Sequence, residues 1–289
     1  MINMFMIIEV KIRTFVLCLS LIIAEAYCID SVCAKELFDH IRLAGKPDLQ
    51  VYGLKPIAIA YGGQIWSDDE SRKSLPNKQR VQALVRELRN TSKEIVLDIE
   101  SWEVTGTSAG RTRQMLATVI SWVREAVPDA KLCLYSLIPN RNVKSILSSS
   151  SSVAYQRWVA GNDRMSGLVN QLDFLCPSLY VTNRTADDRS WVVFAKRMIT
   201  EAKRLAKDKP VIGFLRIKNE EYRYHAKRFW EEQLDITWSM ADGIVLWGGL
   251  LPYKKGKFAG WGKWDANSEW WRTTIDFAVK KGVGPASAR

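Results

Sequence analysis

The stretch Ile95-Val-Leu-Asp-Ile-Glu100 is a short apolar run that ends in two carboxylates. Its β-branched and aliphatic residues predict a strand that is buried on both faces, as in a parallel sheet. Five other runs share this pattern. They are Pro56-Ile-Ala-Ile-Ala-Tyr61, Lys131-Leu-Cys-Leu-Tyr-Ser136, Leu172-Asp-Phe-Leu-Cys-Pro-Ser-Leu-Tyr180, Val211-Ile-Gly-Phe-Leu-Arg216 and Gly243-Ile-Val-Leu-Trp247.

Amphipathic helices alternate with these strands. One apolar face consists of Val81, Leu84, Val85 and Leu88, and another of Trp191, Phe194, Ala195, Met198, Ala202 and Leu205. Their i, i+3, i+4 spacing is typical of a helix packed on a core. Because no Gly-rich phosphate loop follows any strand, the alternation favours a single-domain α/β protein, a (β/α) TIM-like barrel, over an open doubly wound sheet. We expect seven or eight strands, with the missing ones near Leu49 to Leu54 or after Trp247.

The composition excludes several protein classes. The chain has 289 residues, of which 47% are hydrophobic and 25% charged, so disordered, collagen-like and coiled-coil proteins are poor matches. Lysine and arginine exceed aspartate and glutamate by 11, which favours an acidic partner such as an anionic glycan, nucleic acid or a membrane surface. With only two histidines and no paired C-x-x-C, the sequence implies no metal site, and no cofactor is implied either.

The N-terminal segment has the pattern of an export signal. An apolar run at residues 14–24 follows Lys11 and Arg13, and Ala24 and Ala26 form an A-x-A cleavage pattern. We therefore expect residues 1–26 to be a signal peptide, which predicts a secreted or periplasmic protein without stable membrane insertion after cleavage. An uncleaved or buried N-terminal anchor helix is the alternative.

The predicted mature domain spans residues 27–289 and keeps four of the five cysteines. These are Cys28, Cys33, Cys133 and Cys176. An even number of cysteines in an oxidising compartment permits disulfides but does not give their pairing. Cys28 with Cys33 is one pairing, and buried free thiols on adjacent strands are an equal alternative for Cys133 and Cys176.

Asp98 and Glu100 are the first candidates for catalysis. They lie two residues apart, so both face the barrel mouth if Leu97 and Ile99 face the helices. Two close carboxylates disfavour simultaneous ionisation, and one of them then holds a proton as a general acid must. The structural alternative is a carboxylate pair bound in salt bridges to neighbouring lysines or arginines.

Aromatic residues end three other predicted strands, at Tyr135, Tyr180 and Trp247. Such rings suit stacking on sugars and hydrogen bonding to their substituents. No acidic residue ends these three strands, although two-carboxylate glycosidases need a second carboxylate across the cleft. The exception is substrate-assisted hydrolysis, in which the 2-acetamido oxygen of the sugar attacks the anomeric carbon.

Together, these strand ends resemble the hyaluronidase family of glycoside hydrolases. Asp98-Ile-Glu100-Ser101-Trp102 is similar to the family motif D-W-E-E-W, and Cys176-Pro-Ser-Leu-Tyr180 to Y-P-S-I-Y. Gly243-Ile-Val-Leu-Trp247 is similar to G-V-V-L-W. Tyr135-Ser-Leu-Ile-Pro139 resembles Y-G-F-P less closely, and Lys73-Ser-Leu-Pro-Asn77 resembles G-G-I-P-Q. The resemblance covers roughly residues 57–248 and is that of a distant relative.

The resemblance implies a retaining endo-β-N-acetylhexosaminidase on a distorted (β/α) barrel. Glu100 would protonate the leaving oxygen, while Asp98 and Tyr180 would orient the acetamido group. The expected substrate-binding residues are Tyr135, Trp247, Trp102 and Arg216. Family positions next to the catalytic pair differ here, since Ile99 and Ser101 replace a tryptophan and a glutamate.

Arg216 ends a predicted strand and suits a substrate carboxylate. An internal salt bridge to Glu220 or Asp98 is the alternative. The expected partner is a polysaccharide, neutral or anionic, and not nucleic acid, because the basic residues are dispersed and no nucleic-acid motif is present. A glycosidase of another mechanism and a non-catalytic glycan-binding barrel are the competing functions.

Overall fold

Short parallel strands make up the centre of the protein. The structure is a computed structural model that describes residues 35–252 and 259–284, and the predicted signal peptide lies outside these residues. The strands within the described residues are β1 (Glu36–Ile41), β2 (Leu54–Pro56), β3 (Ala58–Tyr61), β4 (Glu94–Asp98), β5 (Lys131–Leu134), β6 (Ile212–Arg216) and β7 (Gly243–Gly248). Every ladder between them is parallel, as the apolar runs predict.

The strands form two sheets, ordered β2-β1-β7-β6 and β3-β4-β5. Only Ile57 separates β2 from β3 along the chain. Between β5 and β6 in space lies the segment 174–178, which makes single parallel bridges to Tyr135 on one side and to Val211 and Phe214 on the other. The prediction of a regular strand over 172–180 is therefore wrong. Pro177 offers one reason, because a proline has no N–H to donate to a ladder.

Helices follow most strands. They are α1 (Gly62–Ile65), α2 (Lys78–Arg89), α3 (Ala109–Ala126), α4 (Val143–Leu147), α5 (Val153–Asp163), α6 (Ser166–Val169), α7 (Asp188–Ala206), α8 (Lys227–Met240) and α9 (Glu269–Lys280), with a 3₁₀ helix at Leu49–Tyr52. The predicted apolar faces are the buried ones, for example Val81 and Val85 on α2. None of the helices in the described ranges is long and apolar enough to cross a membrane.

β1 was not among the predicted strands. Glu36, Asp39 and His40 interrupt its apolar residues, so the run did not match a strand buried on both faces. The prediction of a strand near Leu49 to Leu54 is also wrong for most of these residues. Residues 49–52 form the 3₁₀ helix, and β2 begins only at Leu54.

The core has two layers, which follow from the alternation of side chains along each strand. On β4, Ile95 and Leu97 belong to the large cluster shared with the helices. Val96 belongs to a smaller interior cluster with residues of β1, β3, β5, β6 and β7. Asp98 lies two residues after Val96, so its side chain is on the same, interior side of the strand, at its carboxyl end.

Candidate active site

A cavity of about 230 Å³ lies at the carboxyl ends of β3 to β7. It is lined by Ile59, Tyr61, Asp98, Glu100, Tyr135, Arg141, Tyr180, Phe214, Arg216 and Trp247. Six of the seven residues predicted for the site are in this set. The volume is below the roughly 300–1,000 Å³ of typical small-molecule pockets, so it suits one sugar ring better than a longer glycan.

Asp98 and Glu100 both line the cavity, but their surroundings differ. Asp98 is half-buried, and its Oδ1 is enclosed without a hydrogen-bond partner, whereas Glu100 is exposed. Neither carboxylate takes part in a salt bridge within the described residues, so the alternative of an ion-paired couple is not supported.

Burial, together with the nearby negative charge of Glu100, raises the pKa of Asp98 to about 7. The charged form of a carboxyl is disfavoured both by loss of water and by a like charge. At neutral pH, Asp98 therefore exchanges between its protonated and ionised forms. The ionised form can accept a hydrogen bond and balance a positive charge, so both properties of Asp98 change near neutral pH.

The two tyrosines form one wall of the cavity. Tyr135 Oη donates to Ser178 Oγ at 3.0 Å, and the rings of Tyr135 and Tyr180 lie 6.0 Å apart. Burial is the main cause that raises the pKa of both phenols, so their hydroxyls remain protonated hydrogen-bond donors at neutral pH. The ring of Tyr180 stacks on Trp247 with a centroid distance of 5.6 Å.

Tyr61 holds Trp247 in place by a hydrogen bond. Trp247 Nε1 donates to Tyr61 Oη at 2.8 Å, and burial raises the pKa of Tyr61 to about 12. Sequence reasoning missed Tyr61 as a site residue. It ends a predicted strand just as Tyr135 and Tyr180 do, so the same strand-end criterion identifies it.

Arg216 reaches the cavity beside Tyr180. Its Nε donates to the Lys218 carbonyl at 2.7 Å, and its guanidinium lies 5.4 Å from the ring centroid of Tyr180. The predicted alternatives, salt bridges to Glu220 or Asp98, are not formed in the described part of the chain. Arg216 Nη2 is buried without a partner, and Glu220 instead accepts from the Asn183 N–H at 3.0 Å.

Arg141 is the second cation of the cavity, and no sequence motif pointed to it. It lies in the loop after β5, and its Nη1 donates to Ser178 Oγ at 3.3 Å. It also lines a second cavity of about 470 Å³. The lining residues are Asn140, Arg141, Asn142, Val143, Lys144, Thr182, Asn183, Arg184 and Glu220. Three cations and one carboxylate thus line a basic groove that shares Arg141 with the first cavity.

Trp102 is not part of the cavity. It is buried, its ring packs edge-on against Trp66 at 5.3 Å, and its Nε1 donates to the Arg72 carbonyl at 2.7 Å. The structure therefore gives Trp102 a packing role and does not support its predicted place among the substrate-binding residues. β4 ends at Asp98, so the alternation of side chains along the strand no longer determines where Trp102 points.

Cys133 and Cys176 form a disulfide in the interior cluster beneath the cavity. The pairing left open by the sequence is thus a cross-link between β5 and the segment 174–178, while Cys28 and Cys33 lie outside the described residues. The described residues contain no group of three histidine, cysteine, aspartate or glutamate side chains that could hold a metal ion.

Comparison with known proteins identifies the fold. No protein-family model matches the sequence, and no curated protein matches it. Bee venom hyaluronidase is 17% identical with a TM-score of 0.58, over 86% of this chain and 98% of that one. The same bee venom enzyme in complex with a hyaluronic acid tetramer is 16% identical with a TM-score of 0.55, over the same shares of the two chains. The expected resemblance is confirmed at the level of the fold, and this chain is a distant structural relative of hyaluronidase-like glycoside hydrolases.

Proposed function

We propose that the protein is an exported glycoside hydrolase that cleaves a β-linked, N-acetylhexosamine-containing polysaccharide with retention. The observation that carries the proposal is the pairing of half-buried Asp98 with exposed Glu100 in one aromatic cavity. No other acidic residue is among the described side chains that line this cavity. This arrangement fits a mechanism in which the substrate's own acetamido group is the nucleophile.

Glu100 donates a proton to the glycosidic oxygen as the acetamido carbonyl oxygen attacks the anomeric carbon. The leaving sugar departs as the alcohol, and a cyclic oxazolinium forms on the sugar that stays. Ionised Asp98 accepts a hydrogen bond from the acetamido N–H and balances the positive charge of the oxazolinium ring. Water then attacks the anomeric carbon while Glu100 takes a proton from it. The bond from the anomeric carbon to the acetamido oxygen breaks, which regenerates the acetamido group and leaves the configuration retained.

The walls of the cavity position the sugar for this step. The hydroxyl of Tyr180 is a permanent donor that can hold the acetamido oxygen toward the anomeric carbon. Trp247, which Tyr61 fixes by a hydrogen bond, offers an apolar face on which the sugar ring can stack.

Two features favour an anionic substrate. Arg216 Nη2 is enclosed without a partner, and a guanidinium nitrogen of this kind suits a carboxylate or another sugar oxygen. The basic groove beside the cavity carries Arg141, Lys144 and Arg184 against a single carboxylate, Glu220. A polymer that continues from the cavity into the groove would meet this positive potential, which favours acidic chains.

We propose that the strands close into one barrel within a single catalytic domain. The single bridges of segment 174–178 to both of its neighbours support one (β/α) barrel in which this segment acts as a strand. Residues 1–26 are proposed as the export signal and 27–289 as one catalytic domain, on the strength of the sequence pattern. Secretion or a periplasmic location follows from that assignment.

The test is reducing-end release from hyaluronan, chondroitin, chitin oligomers and bacterial exopolysaccharides by the mature protein. Glu100→Gln should lose at least about 100-fold in kcat, because general acid catalysis contributes roughly 10²–10⁴-fold. Glu103→Gln is the matched control, since Glu103 is exposed and lies outside the cavity. Equal turnover by wild type and Glu100→Gln would refute the assignment. Binding without release from any glycan would favour a non-catalytic glycan-binding protein.

A further inference from the structure

The segment 174–178 is bound unequally to its two neighbours. Toward β6, four backbone hydrogen bonds all measure 2.9 Å; they run from Leu175 to Pro210, from Ile212 to Leu175, from Phe214 to Pro177 and from Leu179 to Phe214. Toward β5, the backbone hydrogen bonds made by the residues after Asp173 are longer. Phe174 donates to the Leu132 carbonyl at 3.5 Å, and Ser136 donates to the Cys176 carbonyl at 3.3 Å. The side that faces β5 is therefore the weaker one, and we call this boundary the β5 seam.

The Cys133–Cys176 disulfide crosses the β5 seam. Both cysteines are fully buried in the interior cluster, with a Cα–Cα distance of 6.1 Å. Two residues further along each side of the seam stand Tyr135 and Ser178, whose hydroxyls form the 3.0 Å hydrogen bond at the cavity wall. Tyr180 follows Ser178 by two residues. The cross-link thus lies two residues before the side chains that form this wall of the cavity.

We propose that this disulfide is a positioning element of the cavity, which holds Tyr180 and Ser178 against Tyr135 where backbone hydrogen bonding is weakest. It touches no substrate and is not catalytic. Without the cross-link, the segment keeps its bonds to β6 and can separate from β5, so Tyr180 loses its fixed distance from Tyr135 and Asp98. A site that depends on a covalent link in this way assembles only where thiols become oxidised. The effect on turnover rests on the proposed function, whereas the effect on the seam does not.

The experiment compares wild type with the double variant Cys133→Ala/Cys176→Ala. Val245→Ala is the control, because Val245 belongs to the same interior cluster but lies on β7, outside the cavity and away from the β5 seam. Amide hydrogen exchange of Phe174 and Ser136, whose N–H groups donate across the seam, is measured by mass spectrometry. We expect exchange there to rise by about tenfold or more over the control, which reports local opening of the seam.

Kinetics supply the second readout. The double variant should lose about tenfold in kcat with KM within about threefold, as expected when an interaction made in the transition state is misplaced. The exchange measurement is repeated on folded wild type after mild reduction with a phosphine, with alkylation of Cys133 and Cys176 as the check on reduction. This does not require the variant to fold.

Exchange of Phe174 and Ser136 that matches the control, in the variant or in the reduced protein, would overturn the proposal. If wild type releases no sugar from any glycan, the proposed function fails while the exchange result still decides the role of the disulfide.

Discussion

Asp98→Asn should stabilise the protein at alkaline pH and lose that advantage in acid. The folded protein raises the pKa of Asp98 from 3.8 to about 7, mainly through burial. The folded protein therefore binds the Asp98 proton more tightly than the unfolded chain does. The stability that this group contributes is complete below about pH 4 and is lost as the pH rises through about 7. At 1.36 kcal/mol for each pH unit between these two pKa values, the loss amounts to about 4 kcal/mol.

The assay is urea unfolding of wild type and Asp98→Asn between pH 4 and pH 8, followed by the fluorescence of the tryptophans, of which the chain has 12. The difference in unfolding free energy between variant and wild type should grow by about 1.4 kcal/mol per pH unit between pH 4 and 7 and then level off. The unpaired amide that the substitution introduces adds an offset that does not vary with pH, so the slope is the quantity to read. Asp68→Asn is the control, because Asp68 is exposed. A difference that stays constant across this pH range would refute the reasoning.

Three further predictions concern single contacts. Tyr180→Phe should lower kcat on the order of tenfold to 100-fold with little change in KM, measured by reducing-end release, because only one hydroxyl is lost; an unchanged kcat would exclude that hydroxyl from the transition state. Trp102→Phe should lower the unfolding free energy by about 1–3 kcal/mol in urea titrations, because the Arg72 carbonyl loses the nearer of its two donors and keeps only Ser101 Oγ at 3.4 Å. A change in KM without a change in stability would contradict its packing role. Arg184→Ala should weaken binding of hyaluronan but not of chitin oligomers at low salt, and the hyaluronan effect should shrink in about 1 M salt, where screening is strong; an equal loss for both glycans would remove the argument for an anionic substrate.

Strand ends were predictable because they follow from a simple rule. A parallel strand buried on both faces is a continuous apolar run, so the first polar or aromatic residue after it marks the carboxyl end. This rule placed Asp98, Tyr135, Tyr180, Arg216 and Trp247 at one cavity without any knowledge of tertiary contacts. The helix of Trp191 was equally accessible, since its period of 3.6 extends over five turns.

The same rule failed where a strand is not uniformly apolar. β1 contains Asp39, whose carboxylate forms an ion pair with Lys46, and His40, whose Nδ1 lies 2.9 Å from the Ile57 carbonyl. These partners lie outside β1, so the sequence of the strand alone does not predict them. Arg141 was missed for a related reason. It lies in a loop after β5, and only the path of that loop brings its guanidinium to Ser178.

The positions of the unsatisfied polar groups favour a polar ligand. Among the described residues, seven buried side-chain atoms lack a hydrogen-bond partner. Three of them, His40 Nε2, Asp98 Oδ1 and Arg216 Nη2, are at the carboxyl ends of β1, β4 and β6, and the other four are on α8 and α9. Each such atom costs about 1–3 kcal/mol. A fold tolerates that cost where another molecule supplies the missing partner, and two of the three atoms belong to residues that line the cavity. A sugar with an amide and several hydroxyls offers both a donor for Asp98 and acceptors for Arg216, which an apolar ligand does not.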